Sequence, residues 1–269
     1  MNYIQYPPPP VLKPYVRYFW SFSSLQSDVA RLQIKSFADR YPRFIFQDVD
    51  HFTPLSKPDG GKMPICFLSG IDTKNTVAVM DGTFSHFGIS FYPHSLHIFF
   101  GIDANELVNC MPDIGMVCYS DIQRKLEHAH SHLERVTIVS KYLYDKINSI
   151  HRIDPLVDQI IQTKDIHATS NVLELARKHK VSERNLERKF KMTVGVSPKK
   201  LQRIARFEKS LQLLANAGYS QLTEIAYRLG YTDQSHFIKD FCSFSGMTPY
   251  DFVRSKNLGA DSSSFICHI

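Results

Sequence analysis

The segment from Leu173 to Pro249 is written twice. One copy reads Leu173-Glu174-Leu175-Ala176, then Ser182, Leu186, Phe190, Gly195 and Ser197-Pro198. The other reads Thr223-Glu224-Ile225-Ala226, then Asp233, Phe237, Phe241, Gly246 and Thr248-Pro249. Leu175-Ala176 is answered 50 positions later, and Leu186 through Pro198 is answered 51 positions later, so the second copy has one extra residue in its turn. Each copy predicts a short helix, a tight turn and a second helix that stops before a glycine. That is the grammar of a helix-turn-helix unit, and two in tandem suit a chain that reads two stretches of duplex DNA.

Charge follows the repeat. The chain has 269 residues and a formal net charge of +6, yet residues 176–210 alone hold twelve Lys/Arg against three Asp/Glu. Residues 1–175 are slightly acidic, with 16 Lys/Arg and 18 Asp/Glu. A basic block over a helix-turn-helix unit favours a polyanion, because neutralised phosphates release condensed counterions. A solvated helix face would explain the charge alone but not its coincidence with the repeat.

The length leaves room for about two domains. We expect residues 1–163 to form a regulatory domain, 165–256 the DNA-binding domain, and 257–269 a flexible Ser-rich tail. The expected fold is an α+β N-terminal domain of short strands plus helices. An all-α domain follows, with two helix-turn-helix units joined by a long helix. Strands are expected at Arg43–Gln47, Ile65–Leu68, Thr76–Val79 and Phe87–Phe91, between turn signals such as Pro58-Asp59-Gly60-Gly61. Val16–Phe22 fits a helix or a strand, and His94–Phe100 a short helix ending near Gly101. Residues 121–163 read as helical, either packing at home or forming a dimer interface. No apolar run approaches the roughly 20 residues of a membrane helix, and the first residues lack a leader pattern, so a cytoplasmic protein is expected. The five cysteines include no CxxC pair, which favours buried reduced thiols.

The repeat also nominates the groups that touch DNA. Ser182 and Asp233 are expected N-caps of the second helix in each unit, and Asn171 with Glu174 resembles a capping box. With Leu186 and Phe190 inward, Arg184, Glu187, Arg188 and Lys191 face out. Arg can grip guanine bidentately and Glu can accept from cytosine. In the second unit, Gln234, Ser235, His236 and Lys239 are the candidates for base contact. Ser182, Lys191, Lys199, Lys200 and Arg203 are the candidates for phosphate contact. Between the units, Pro198 to Asn216 predicts a helix spanning roughly 28 Å, with Leu201, Ile204, Leu211 and Leu214 on one stripe.

Together, Ser182-x-x-x-Leu186-x-Arg188-x-Phe190, Gly195-x-Ser197-Pro198, Ile225-Ala226-x-x-x-Gly230-Tyr231, Asp233-Gln234-Ser235-x-Phe237 and Gly246-x-Thr248-Pro249 resemble the DNA-binding domain of AraC-type (AraC/XylS) transcriptional regulators. The resemblance covers about residues 165–256. It implies a bacterial transcription factor whose second helices enter the major groove. By position, Arg184, Glu187 and Arg188, then Ser235, His236 and Lys239, fall at base-facing sites. Lys239 stands where an Arg is usual, and Cys242 where a basic residue is common. The resemblance also implies RNA polymerase as a partner, and a possible homodimer. The N-terminal cues Pro14-Tyr15-Val16-x-Tyr18-Phe19-Trp20, Phe91-Tyr92-Pro93 and Leu107-Val108-Asn109 resemble an uncharacterised domain often fused to this one. Such domains often sense a small-molecule effector.

Other functions find less support. His51, His86, His94 and His97 lack the Glu of a cupin-like metal set, and His128, His130 and His132 scatter around a helix. No phosphate loop, nucleophile elbow or carboxylate pair appears, so no enzyme activity, metal or cofactor is expected. The alternative is an N-terminal enzyme or ligand-binding protein whose helical domain is an interaction module. A repair methyltransferase would need a reactive, metal-associated cysteine, and Cys66, Cys110 and Cys118 are not spaced for one.

Overall fold

A computed structural model describes residues 1–24, 32–118, 120–149, 153–168, 171–217, 222–255 and 265–268. The N-terminal half is built on two sheets. The larger combines β1 (Asn2–Tyr6), β2 (Val16–Ser24), β7 (Phe84–Phe91), β4 (Arg43–Asp48) and β5 (Cys66–Ser69) in that spatial order, every neighbouring pair antiparallel. The smaller is β6 (Thr76–Met80), β3 (Leu32–Ser36) and β8 (Phe265–His268).

The pleat assigns the two faces of the large sheet. On the central strand β7, Phe87, Ile89 and Phe91 join a core with Phe19, Phe44 and Phe46. That core is closed by α1 (Ser95–Phe100), α3 (Ile122–Glu127) and α4 (His132–Ser149), through Phe99, Ile122, Leu126, Val139 and Leu143. Phe84 and His86 point the other way, toward the small sheet. There Phe22, Leu32, Leu55, Met80 and Phe84 close one end of the space between the sheets. Both faces of β7 are covered, which is why all its positions are buried.

The ambiguous Val16–Phe22 stretch is strand β2, paired with β1 and β7. Strands β1 and β3 are not among the expected strands. Residues 265–268, placed in a flexible tail by the Ser-rich composition before them, instead pair with β3. The short β-prone run after the serines outweighs that composition. The cysteines also differ from expectation. Cys66 is buried, but Cys118 and Cys242 are half-buried and Cys110 is exposed.

Beyond α1, short helix α2 (Ile114–Val117) precedes α3, and α5 (Pro155–Gln162) follows α4. Pro155 opens α5 as its first-turn residue, and Asp154 caps it by accepting from the N–H groups of Leu156 and Val157. The remaining helices are α6 (Asp165–Ala168), α7 (Val172–Lys178), α8 (Glu183–Val194), α9 (Pro198–Ala217), α10 (Leu222–Arg228), α11 (Gln234–Ser245) and α12 (Pro249–Ser255). Their core includes Leu175, Leu186, Phe190, Leu201, Ile204, Leu211, Phe237 and Phe241, the residues that recur in the repeat or stripe the long helix. It also takes in Val157, Ile160 and Ile161 of α5, and Phe37, Ala38 and Ile71 from the strand-rich half.

Candidate nucleic-acid interface

Each helix-turn-helix unit is set by its caps. Asn171 Oδ1 accepts from the Glu174 N–H (2.8 Å), and Ser182 Oγ from the Asn185 N–H (3.2 Å). Asp233 Oδ1 accepts from the His236 N–H at 2.8 Å. Gly195 and Gly246 end α8 and α11 in left-handed conformation, at φ 95° and 66°. With Leu186 and Phe190 fully buried, Arg184, Glu187, Arg188 and Lys191 are all exposed along α8. Arg188 Nη2 donates to Asn185 Oδ1 at 3.1 Å, which orients the guanidinium along the helix. Ser182 is exposed, its oxygen serving as the cap acceptor and its O–H remaining able to donate.

On α11, Ser235, His236 and Lys239 are exposed. Gln234 is half-buried and its Oε1 accepts from Thr223 Oγ1 at 2.6 Å, which ties it to α10 and leaves its NH₂ group outward-capable. His236 sits edge-on to Tyr231, with ring centroids 5.3 Å apart.

The phosphate candidates divide. Lys191 and Lys199 are exposed. Arg203 is not a simple outward charge: its Nη2 lies 2.6 Å from Asp240 Oδ1, which joins α9 to α11. Lys200 is half-buried, with Nζ 4.6 Å from the Phe244 ring centroid, and burial lowers its pKa. Both tie the connecting helix α9 to α11 of the second unit. Helical periodicity cannot show this, because Asp240 and Phe244 come from another helix.

The residues that sequence reasoning missed join the halves. From the end of β3, Lys35 Nζ donates to the Gly246 carbonyl (3.2 Å) and the Ala38 N–H to the Phe244 carbonyl (3.0 Å). These satisfy carbonyls at the C-terminus of α11 that a helix leaves unpaired. Phe37, fully buried, meets Phe207 and Phe252 edge-on at 6.2 and 6.0 Å. Arg40 pairs with Glu208, Nε to Oε2 at 3.0 Å, and its N–H donates to Oε1 at 3.0 Å. The first unit is held too. The end of α8 packs on the 3₁₀ turn Ala104–Leu107 and on α1, and Lys189 pairs with Asp154.

Glu208 makes this joint sensitive to pH. Burial raises its carboxyl to about 7, against the opposing pull of Arg40. The folded state therefore holds a proton that the unfolded chain releases from about pH 4.3 upward. This contribution is full below that pH, is lost as pH rises to about 7, and is flat above. Glu208→Gln is expected to shrink the loss of stability between pH 5 and 7 by about 1–3 kcal/mol, as read by urea denaturation at each pH. An unchanged pH profile would place the titration elsewhere.

The two sheets enclose a cavity of about 890 Å³. Tyr3, Tyr18, Trp20 and Phe22 line it from the large sheet, and Ile34 and Ser36 from β3. Arg43 reaches it while pairing with Asp39, and Asp72 and His86 contribute buried polar groups. The other histidines have local roles. His94 bonds Asp158 at 3.1 Å and holds that carboxyl below its usual range, and His97 Nδ1 meets the Ile102 carbonyl at 2.7 Å. His51 lies exposed beside Asp50. Among the described residues, no three His, Cys, Asp or Glu side chains gather as a metal set, and no helix is long and apolar enough to cross a membrane.

Residues 175–255 match a helix-turn-helix domain family, and residues 4–111 match a domain of unknown function, DUF6597. No curated protein sequence matches significantly. Among solved structures, ToxT from Vibrio cholerae O395 is similar at 14% identity, covering 88% of this chain and 97% of that chain, with a TM-score of 0.43. The same protein bound to (E)-4-(8-methylnaphthalen-1-yl)but-3-enoic acid is similar at 14% identity, covering 94% and 99%, with a TM-score of 0.42. Two capped helix-turn-helix units on a long connecting helix, together with the family match over them, identify residues 175–255 as a helix-turn-helix domain of AraC type, preceded by a DUF6597 domain at residues 4–111.

Proposed function

We propose that the protein is a cytoplasmic, sequence-specific regulator of transcription whose DNA reading is set by a small molecule in the cavity between the sheets. The domain division is residues 1–163 for sensing and 165–256 for DNA. The observation that carries the reading is the path of residues 34–40. Ile34 and Ser36 line the cavity, while Lys35, Phe37, Ala38 and Arg40 engage α9, α11 and α12. Asn75, which also lines the cavity, lies against Gly246. The equivalent glycine of the first unit, Gly195, lies against Ala104. The N-terminal half thus touches the ends of both recognition-type helices. A ligand that shifts β3 changes how the two are held relative to each other, which is the differential contact a coupled site requires.

Arg184, Glu187 and Arg188 supply base contacts from α8, and Ser235, His236 and Lys239 from α11, with Gln234 assisting through its amide. Lys191, Lys199 and the Ser182 hydroxyl hold phosphates. Lys200 and Arg203 act first as braces.

The test is selection of duplexes from a random pool by the full-length chain, beside an Arg188→Ala/Lys239→Ala variant. The expected motif has two short elements about 34 Å apart, one helical turn. Each lost base contact is expected to cost about 1–3 kcal/mol of discrimination. Recovery of the same motif, at the same strength, by the double variant would remove α8 and α11 as the reading helices.

A further inference from the structure

Two buried polar atoms on residues that line the cavity have no partner among the described residues. They are Asp72 Oδ1 and His86 Nε2, on residues only 2% and 3% exposed. Buried polar atoms are almost always hydrogen-bonded, so two orphans on one cavity wall mark where a ligand's polar groups belong.

Their placement gives the ligand a shape. His86 lies on β7, four residues before Ser90, which pairs with Arg43 across the sheet. Four strand residues span about 13 Å. Asp72 belongs to the Arg43 end: it forms a β-bridge with Asp39, the carboxylate paired with Arg43. Between the two ends the floor is apolar. Trp20 lies so close over Gly88 that a Cβ there would come within 2.3 Å of the indole, and Ile45 pairs beside Gly88.

Their charge gives the ligand a sign. Arg43, the cation acting on Asp72, is already paired with Asp39, so an ionised Asp72 has no counter-ion of its own among the described residues. Burial pushes the Asp72 carboxyl up to about 7 despite Arg43. Lys57 and Lys62 also line the cavity, but both are exposed and sit at its mouth. A cation at depth answers the charge, and an anion there would meet Asp72.

We propose that the cavity binds an amphipathic amine: its protonated nitrogen donates to Asp72, its apolar body lies along Trp20 and Ile45, and its far end reaches toward His86. This rests on the reading of the N-terminal half as the effector domain.

Trp20 is the only tryptophan in the chain, so its emission reports the cavity directly. The full-length protein is titrated with 4-phenylbutylamine, 4-phenylbutanol and 4-phenylbutyrate, which share a body and differ in head group. The amine is expected to bind tightest. Asp72→Asn is expected to weaken the amine about 10- to 100-fold, the worth of a charge-assisted hydrogen bond, and to leave the alcohol nearly unchanged. A second readout needs no variant. With Arg43 and Asp39 the charged groups acting on Asp72, amine affinity in the wild-type protein should fall as pH drops below about 7, and alcohol affinity should not. Tightest binding of the carboxylate would overturn the head-group assignment while leaving the cavity as an effector site. No change in Trp20 emission with any of the three would overturn the amine proposal itself. The duplex selection is read by comparing the chain with its Arg188→Ala/Lys239→Ala variant, not by Trp20 emission, so it judges the DNA-reading function separately.

Discussion

Phe37→Ala is expected to lower the unfolding free energy by about 3–5 kcal/mol, the range for truncating a fully buried aromatic. Phe37 follows strand β3 directly, yet it belongs to the core of the C-terminal helices, beside Phe207 of α9 and Phe252 of α12. Truncation leaves a hollow that rigid neighbours fill poorly, because Ala38 is pinned by its hydrogen bond to Phe244. The loss should therefore appear in the DNA-binding half, although the substitution is in the strand-rich half. Urea denaturation gives the magnitude, and hydrogen exchange gives the location, with protection falling in α9 and α12. A loss below about 1 kcal/mol would mean that Phe37 is not part of that core in solution. The same reasoning predicts that residues 165–256, expressed alone, fold less stably than in the full chain, since Phe37, Ala38 and Ile71 would be missing from their packing.

The helical half was legible because its rules are local. Caps at Asn171, Ser182 and Asp233, stops at Gly195 and Gly246, and apolar residues at fixed offsets are all set within a few residues of chain. The exposed face of α8 followed directly from burying Leu186 and Phe190. What was hidden depends on distant pairs. Arg203 read as an outward cation on its own helix, and it is Asp240, 37 residues away, that engages it. The cavity was hidden for the same reason, since its walls come from β1 through β7, and the sequence does not say which strands face each other. His86 stood out only as one of several histidines. Its importance comes from being buried, opposite Phe22, with an Nε2 that has no hydrogen-bond partner among the described residues. Phe37 was the hardest to see, because nothing local separates an aromatic that ends a strand from one that enters a neighbouring core.

Three glycines at left-handed positions separate backbone strain from contact between the halves. Gly230→Ala is expected to cost about 1–2 kcal/mol, the ordinary penalty for a Cβ in this conformation, because its φ is 72° and nothing lies within 4 Å. Gly246→Ala adds a clash at 2.4 Å with Asn75 Oδ1, which is the end of a side chain and can move. Gly195→Ala is expected to be the most severe, at about 3 kcal/mol or more, since strain and overpacking add. Its φ is 95°, and the new Cβ would lie 2.6 Å from the Ala104 carbonyl oxygen and 2.9 Å from Val108 Cγ2. A backbone oxygen cannot swing aside, so either α8 or the Ala104–Leu107 turn must retreat. Thermal unfolding of the three variants should rank Gly195→Ala below Gly246→Ala below Gly230→Ala. Equal losses at Gly195 and Gly230 would show that the end of α8 does not rest on the N-terminal half. With the predicted ranking, Gly195→Ala loosens the first helix-turn-helix unit while leaving Arg184, Glu187 and Arg188 in place. Under the proposed function, its DNA affinity should then respond less to whatever occupies the cavity, because one of the two helix-end contacts proposed to carry the signal has been pushed apart.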